Sequence, residues 1–217
     1  MNFLNILDLT PLKICLKEKR LKIFLLFTKD MGEIRTPQKV KVVIGYITSD
    51  VKLIEEVNRI LFPLLGEEDF KSEIIDFNFT DYYQEEMGKD LKRQWVSYKN
   101  LVMPDFLPDL KIKTNEIEDK FKENEKRRIN IDPGILTLNN FILATTKNYA
   151  HRIYLRDGIY AEVTLIYQHK KFHNLNWTYP DYQQDFFHNF LLKVRKIYIE
   201  DLKKICYSKE GNENEIY

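Results

Sequence analysis

A chain of 217 residues with 44% hydrophobic and 31% charged residues is long enough for one sizeable core and too apolar to stay disordered. Its 34 basic and 33 acidic residues leave a formal charge of +1, which argues against the basic excess of a dedicated nucleic-acid binder. No apolar stretch reaches the roughly 18 residues that a membrane-spanning helix needs, and the two cysteines, Cys15 and Cys206, have no spacing pattern. They read as free thiols in a reducing, cytoplasmic setting.

The first 30 residues differ from the rest. They hold six basic and three acidic residues, leaving 28 of the basic and 30 of the acidic residues for the remainder. The apolar run 23–27 is too short for the core of a signal peptide. The domain is therefore read as starting at Met31 and running to residue 207, with 1–30 an extension and 208–217 a polar tail.

Residues 41–48, rich in Val and Ile, predict a buried strand. Ser49 and Asp50 suit the cap of a following helix. Its apolar positions Val51, Ile54, Val57 and Leu61 recur three and four apart, and Pro63 and Gly66 are expected to end it. Residues 72–80 alternate, with Ile75, Phe77 and Phe79 on one side and Asp76, Asn78 and Thr80 on the other, which predicts a strand with a polar face. Residues 95–98 are read as its short partner.

Pro104 and Pro108 mark the first turn of a helix striped by Leu107, Leu110, Thr114, Ile117 and Phe121. Residues 127–132 alternate again, with Ile129 and Ile131 inward and Arg128, Asn130 and Asp132 outward; Pro133-Gly134 is expected to stop that strand. Thr137 is placed as the cap of a short helix through Lys147. Asp157-Gly158 supplies the positive φ angles of a two-residue hairpin turn between 151–155 and 159–167. That register pairs Arg156 with Ile159 and Leu155 with Tyr160, which puts His151 on the same face as Glu162. Residues 181–205 read as a long amphipathic helix. The fold class is thus α+β: a ferredoxin-like βαββαβ core, with an added β-hairpin and a long C-terminal helix, the helices packed on one face of an antiparallel sheet.

Five segments then carry a resemblance. They are Gly45-Tyr46-Ile47-Thr48-Ser49-Asp50, Phe77-Asn78-Phe79-Thr80-Asp81-Tyr82-Tyr83, Arg128-Ile129-Asn130-Ile131-Asp132-Pro133-Gly134, His151-Arg152-Ile153-Tyr154-Leu155 and Trp177-Thr178-Tyr179-Pro180-Asp181-Tyr182. In this order they resemble the prokaryotic family described as domain of unknown function 4416, from about Met31 to the last helix. That resemblance implies no activity. In element order the chain is also similar to the hydroxymethyl-dihydropterin pyrophosphokinase of folate synthesis, where a strand bearing Arg-Thr-x-Asp-x-Asp holds magnesium for ATP. Arg127-Arg128-Ile129-Asn130-Ile131-Asp132 stands in the equivalent place: Asp132 matches the second aspartate, and Asn130 replaces the first. The replacement weakens a magnesium site, since that ion prefers carboxylate oxygens.

The candidate chemistry follows from polar groups on strand faces. Asp132, Asp76 and Asp81 are candidate metal ligands, with Mg²⁺ the candidate cofactor; Arg127, Arg128 and Arg152 are candidate phosphate contacts. His151 and Glu162 form a candidate acid–base pair. Each has a structural alternative: a solvated outer face, a turn-forming aspartate, or a histidine held in place by its carboxylate. No Walker A, G-x-G-x-x-G, G-x-S-x-G or C-x-x-C pattern is present. Two functions fit: an enzyme or sensor acting on a phosphorylated small molecule or nucleotide, or a non-catalytic ferredoxin-like module binding RNA through exposed aromatics. Carboxylates converging in a pocket favour the first, and a flat field of Tyr, Phe and Lys the second.

Overall fold

The computed structural model describes the backbone of residues 34–213, with side-chain surroundings up to residue 205. The extension 1–30, residues 214–217 of the polar tail and both cysteine side chains lie outside the described residues. Strand β1 (Val40–Thr48) is buried at all nine positions. An antiparallel strand with no solvated position needs cover on both faces, and this requirement organises the molecule. Helix α1 (Lys52–Leu65) follows; it turns Leu53, Ile54, Val57, Leu61 and Leu65 toward the sheet. Pro63 lies within its last turn, so the helix ends at Gly66 and not at the proline. Next come β2 (Glu68–Lys71), β3 (Ile75–Asp76), a single-turn helix α2 (Gln84–Met87) and the 11-residue β4 (Lys92–Val102). A 3₁₀ turn (Pro104–Phe106) opens α3 (Leu107–Lys120). The chain closes with β5 (Ile129–Leu136), β6 (Asn140–Thr145), β7 (Ile153–Arg156), β8 (Ile159–Gln168), β9 (Lys171–Asn174) and α4 (Asp185–Glu213).

The nine strands form one antiparallel sheet in the order β2-β4-β1-β5-β6-β8-β7, with β3 beside β4 and β9 beside β8. The protein is α+β. On one face α1 and α3 cover Val42, Ile44, Tyr46, Val96, Tyr98, Ile129 and Ile131. On the other, Phe187, Phe190, Leu191 and Val194 of α4 cover Val43, Trp95, Leu136, Phe141 and Leu165. The helices therefore sit on both faces, where one had been expected. Wholly buried Lys41 fastens α4 in place: its ammonium lies 2.5 Å from Asp69 and 2.7 Å from Asp201.

Four local expectations are corrected. The alternating stretch 72–80 forms only the two-residue β3: it follows the edge of β4 from the Ser72 amide on the Trp95 carbonyl to the Phe77 amide on the Leu91 carbonyl, and β4 begins at Lys92, so 78–80 find no strand to pair with. Residues 95–98 are the middle of β4, a central strand. Pro133-Gly134 does not stop β5, which runs on to Leu136. Residues 140–145 are strand β6, not helix: the Thr137 hydroxyl accepts from the amides of Asn139 and Asn140 and fastens a hairpin turn. Short apolar runs such as Phe141-Ile142-Leu143-Ala144 suit either state, and pairing with β8 decides this one.

The Asp157-Gly158 turn forms as expected, with φ of 52° and 76°. Arg156 pairs with Ile159, but a bulge at Leu155 sets Tyr154 opposite Tyr160 and Ile153 opposite Ala161. His151 reaches Glu162 all the same. It does so from a turn, closed by the Arg152 amide donating to the Tyr149 carbonyl, and not from the strand register.

Candidate functional site

The sheet forks between β5 and β6. Their pairing covers only Gly134, Ile135 and Leu136 against Leu143, Ile142 and Phe141, although β5 begins five residues earlier. Pro133 supplies a physical cause. Ile131 turns its amide and carbonyl away from β1, and so does every second residue of the strand, Pro133 included. A proline there has no N–H for the β6 ladder. Side chains of α3 satisfy the released edge instead. Glu118 accepts from the Ile131 amide at 2.6 Å, and the Lys111 ammonium donates to the Ile131 carbonyl at 3.0 Å. A cleft of about 870 Å³ occupies the fork.

Beneath the cleft lies Arg93 of β4, with no exposed surface. Its Nη1 donates to Asp132 at 3.3 Å, and its Nη2 lies 2.9 Å from an Asp181 oxygen, close enough to pair but too poorly aligned for a hydrogen bond. The guanidinium carbon also sits 4.7 Å from the Trp95 ring and 4.9 Å from that of Tyr182. Gly45 on β1 makes this possible: a Cβ there would come within 2.9 Å of both Arg93 Nη2 and the Tyr182 hydroxyl. Burial raises the Asp181 carboxyl above its ordinary pKa against the pull of Arg93, with Asp132 adding to the rise. Burial raises Glu118 in the same way, opposed by Lys111.

One wall is built on Arg127, which grips Glu86 through Nε at 2.8 Å and Nη2 at 2.6 Å. Its Nη1 donates to Asn130 Oδ1 at 3.0 Å. The opposite wall is Glu162 of β8, whose Oε2 accepts from Arg152 Nε at 2.8 Å and meets His151 Nε2 at 3.0 Å. Arg152 goes on to the Lys147 carbonyl at 2.9 Å and the Tyr179 hydroxyl at 3.1 Å. Lys147 itself stands at the rim over the Tyr82 ring. Several buried polar atoms of these lining residues have no hydrogen-bond partner: Arg93 Nε and Nη2, Asn130 Nδ2 and Glu162 Oε1. Buried polar groups are ordinarily paired, so this concentration marks a place where water or a ligand belongs.

Of the residues singled out by sequence, Asp132, Arg127, Arg152 and Glu162 line this cleft; His151 supports Glu162 from behind. Arg128 is turned to Asp50 and Glu123, away from the lining. Asp76 pairs with Lys92, and Asp81 accepts from the Gln84 amide; neither joins Asp132. The described residues contain no group of three His, Cys, Asp or Glu side chains able to hold a metal ion. The carboxylate that shares a cation with Asp132 is Asp181, and the cation is the Arg93 guanidinium. Those two carboxylates therefore do not fit a magnesium ion.

Sequence reading singles out neither Arg93 nor Gly45, and meets Asp181 and Tyr182 only within the segment 177–182, as either a pocket wall or a packing anchor for the last helix. The signal was there for Arg93: in Lys92-Arg93-Gln94-Trp95-Val96-Ser97 it shares a strand face with Trp95 and Ser97. No helix among the described residues is long and apolar enough to cross a membrane. No curated protein and no solved structure matches the chain, so the element order shared with the pyrophosphokinase gains no support from either. The family match is extensive, covering residues 38–198 and hence every strand and wall of the cleft, and the chain belongs to the family described as a domain of unknown function, DUF4416.

Proposed function

We propose that this protein is a cytoplasmic enzyme or sensor whose phosphorylated small-molecule ligand sits in the fork between β5 and β6. The observation that carries this reading is the set of unpaired, buried polar atoms on Arg93, Asn130 and Glu162 around one concave space. A ligand with both acceptors and donors would satisfy them, and leaving them empty costs roughly 1–3 kcal/mol for each group. Lys147 at the rim suits an anion, with Arg152 beside it held to Glu162, and Asp132, part-exposed and anchored by Arg93, is the carboxylate best placed to meet the ligand. The order β5-β1-β4-β2, with α1 and α3 on one face, supports a ferredoxin-like core with β3 and α2 inserted and β6–β9 with α4 added.

RNA binding is the second reading. It is supported by exposed aromatics beside this region, Tyr82, Tyr149, Tyr154 and Tyr179. A thermal-shift screen separates the two, because a ligand at 100 times its Kd stabilises by about 2.7 kcal/mol. Phosphorylated small molecules should raise the melting temperature, and Asp132→Asn should abolish the response without unfolding the chain. Stabilisation by short single-stranded RNA alone, retained in Asp132→Asn, would sink the cleft reading.

A further inference from the structure

We propose that the cleft takes a nucleobase-bearing monophosphate, with Glu162 and Asn130 reading the base and Lys147 meeting the phosphate; this rests on the small-molecule reading above and narrows it. Glu162 stands in the middle of β8 with 1% of its surface exposed. Its Oε2 is engaged by both His151 and Arg152, while its buried Oε1 has nothing. That oxygen cannot swing to another partner, because both holders are fixed in turn. Arg152 is tied to the Lys147 carbonyl and the Tyr179 hydroxyl. The His151 ring stacks on Trp177 at 4.7 Å and 12°, and the Trp177 indole donates to the Val163 carbonyl at 2.8 Å. What is missing at Oε1 is an N–H or O–H donor from outside the protein.

Asn130 offers the opposite polarity. The Arg127 guanidinium is a donor only, so its contact at 3.0 Å fixes the amide oxygen on that side and leaves Nδ2 as an empty, buried donor. A planar heterocycle with an amino or ring N–H on one edge and a carbonyl or ring nitrogen on another supplies a partner for each wall. Phe79, Tyr83 and Tyr179 add aromatic surface for its faces.

Charge limits the rest of the ligand. The lining carries five cations, Arg93, Lys111, Arg127, Lys147 and Arg152. Three of these are paired with carboxylates, and Lys111 is spent on a backbone carbonyl. Lys147 alone contacts only the Tyr82 hydroxyl and ring. One uncommitted cation suits a single phosphate. A triphosphate would bring several charges that nothing here neutralises.

The test is calorimetric titration of the full chain with AMP, GMP, CMP and UMP, using ribose 5-phosphate and inorganic phosphate as base-free probes and ATP with Mg²⁺ as the polyphosphate. At least one monophosphate should bind about tenfold or more tightly than ribose 5-phosphate, the worth of a hydrogen bond to a charged group. ATP should bind no tighter than that monophosphate. Glu162→Gln replaces the empty acceptor by an amide that can still hold Arg152, and should remove the preference while leaving ribose 5-phosphate binding unchanged. Asn130→Asp inverts the other contact and decides the matter if Glu162→Gln fails to fold. Lys147→Met should weaken nucleotides and ribose 5-phosphate alike. A base preference that survives both wall variants, or ribose 5-phosphate binding as tightly as every nucleotide, overturns base reading while the phosphorylated-ligand reading stands. Binding by none of the probes overturns both, and assigns the unpaired atoms to ordered water.

Discussion

Replacing Arg93 by Met should be among the most damaging single changes in the sheet. The guanidinium has no exposed surface and is the counter-cation of Asp181, whose side chain is only 7% exposed, as well as of Asp132. Methionine fills much of the same space and keeps contact with Trp95 and Tyr182, so the loss is mainly electrostatic. Removing one partner from a buried ion pair leaves an uncompensated charge and costs about 3–5 kcal/mol. For a domain of this size, that is a fall in melting temperature of roughly 6–20 °C. The loss should depend on pH with a definite sign. Burial already raises the Asp181 carboxyl above its unfolded value, against Arg93. Without Arg93 that rise is larger. A carboxyl with a raised native pKa favours folding below its unfolded pKa, and loses that contribution as pH rises through the native value. The gap between wild type and Arg93→Met should therefore widen from acidic to neutral pH. Urea denaturation at several pH values measures it. A loss below about 1 kcal/mol, independent of pH, would show that Arg93 is not the counter-ion that Asp181 requires.

Gly45→Ala puts a methyl group 2.9 Å from Arg93 Nη2 and the Tyr182 hydroxyl, so it should cost about 1–3 kcal/mol by overpacking, read as a lowered urea midpoint with an unchanged slope. Lys111→Met should strand the Ile131 carbonyl at the fork and destabilise by about 1–3 kcal/mol, whereas removing the exposed Lys113–Glu116 pair of the same helix should change stability by under about 1 kcal/mol. Equal losses at the two sites would mean that the released edge of β5 is satisfied by water, not by α3.

Local physics carried a good deal of this fold. The Val- and Ile-rich run of β1, the Ile54–Val57–Leu61 stripe of α1, the proline-initiated α3 and the Asp157-Gly158 turn each follow from periodicity or turn chemistry within a few residues. Asp132, Arg127, Arg152 and Glu162 were legible as candidates because charged or polar residues interrupt otherwise apolar strand patterns there. What sequence could not supply was the neighbour on the far side. Whether 140–145 is helix or strand depends on β8 being there to pair with it, and β8 is 15 or more residues away along the chain. The polar side of β5 reads as solvated because alternation cannot say that α4 packs on that same face of the sheet. Pro133 was read as the end of a strand, and it ends only the ladder to β6, a distinction that exists once three strands lie side by side. Arg93 comes from the fourth strand, Asp132 from the fifth and Asp181 from the turn before the last helix. Each alone reads as an ordinary surface charge. Their meaning as a buried pair of carboxylates on one guanidinium arises only where the sheet brings β4, β1 and β5 together, with Gly45 leaving the room between them. Sequence thus determined the local elements, since backbone preference and apolar period act over a few residues. The site was decided by tertiary structure, since charge pairing and desolvation depend on what packs against a side chain from elsewhere in the chain.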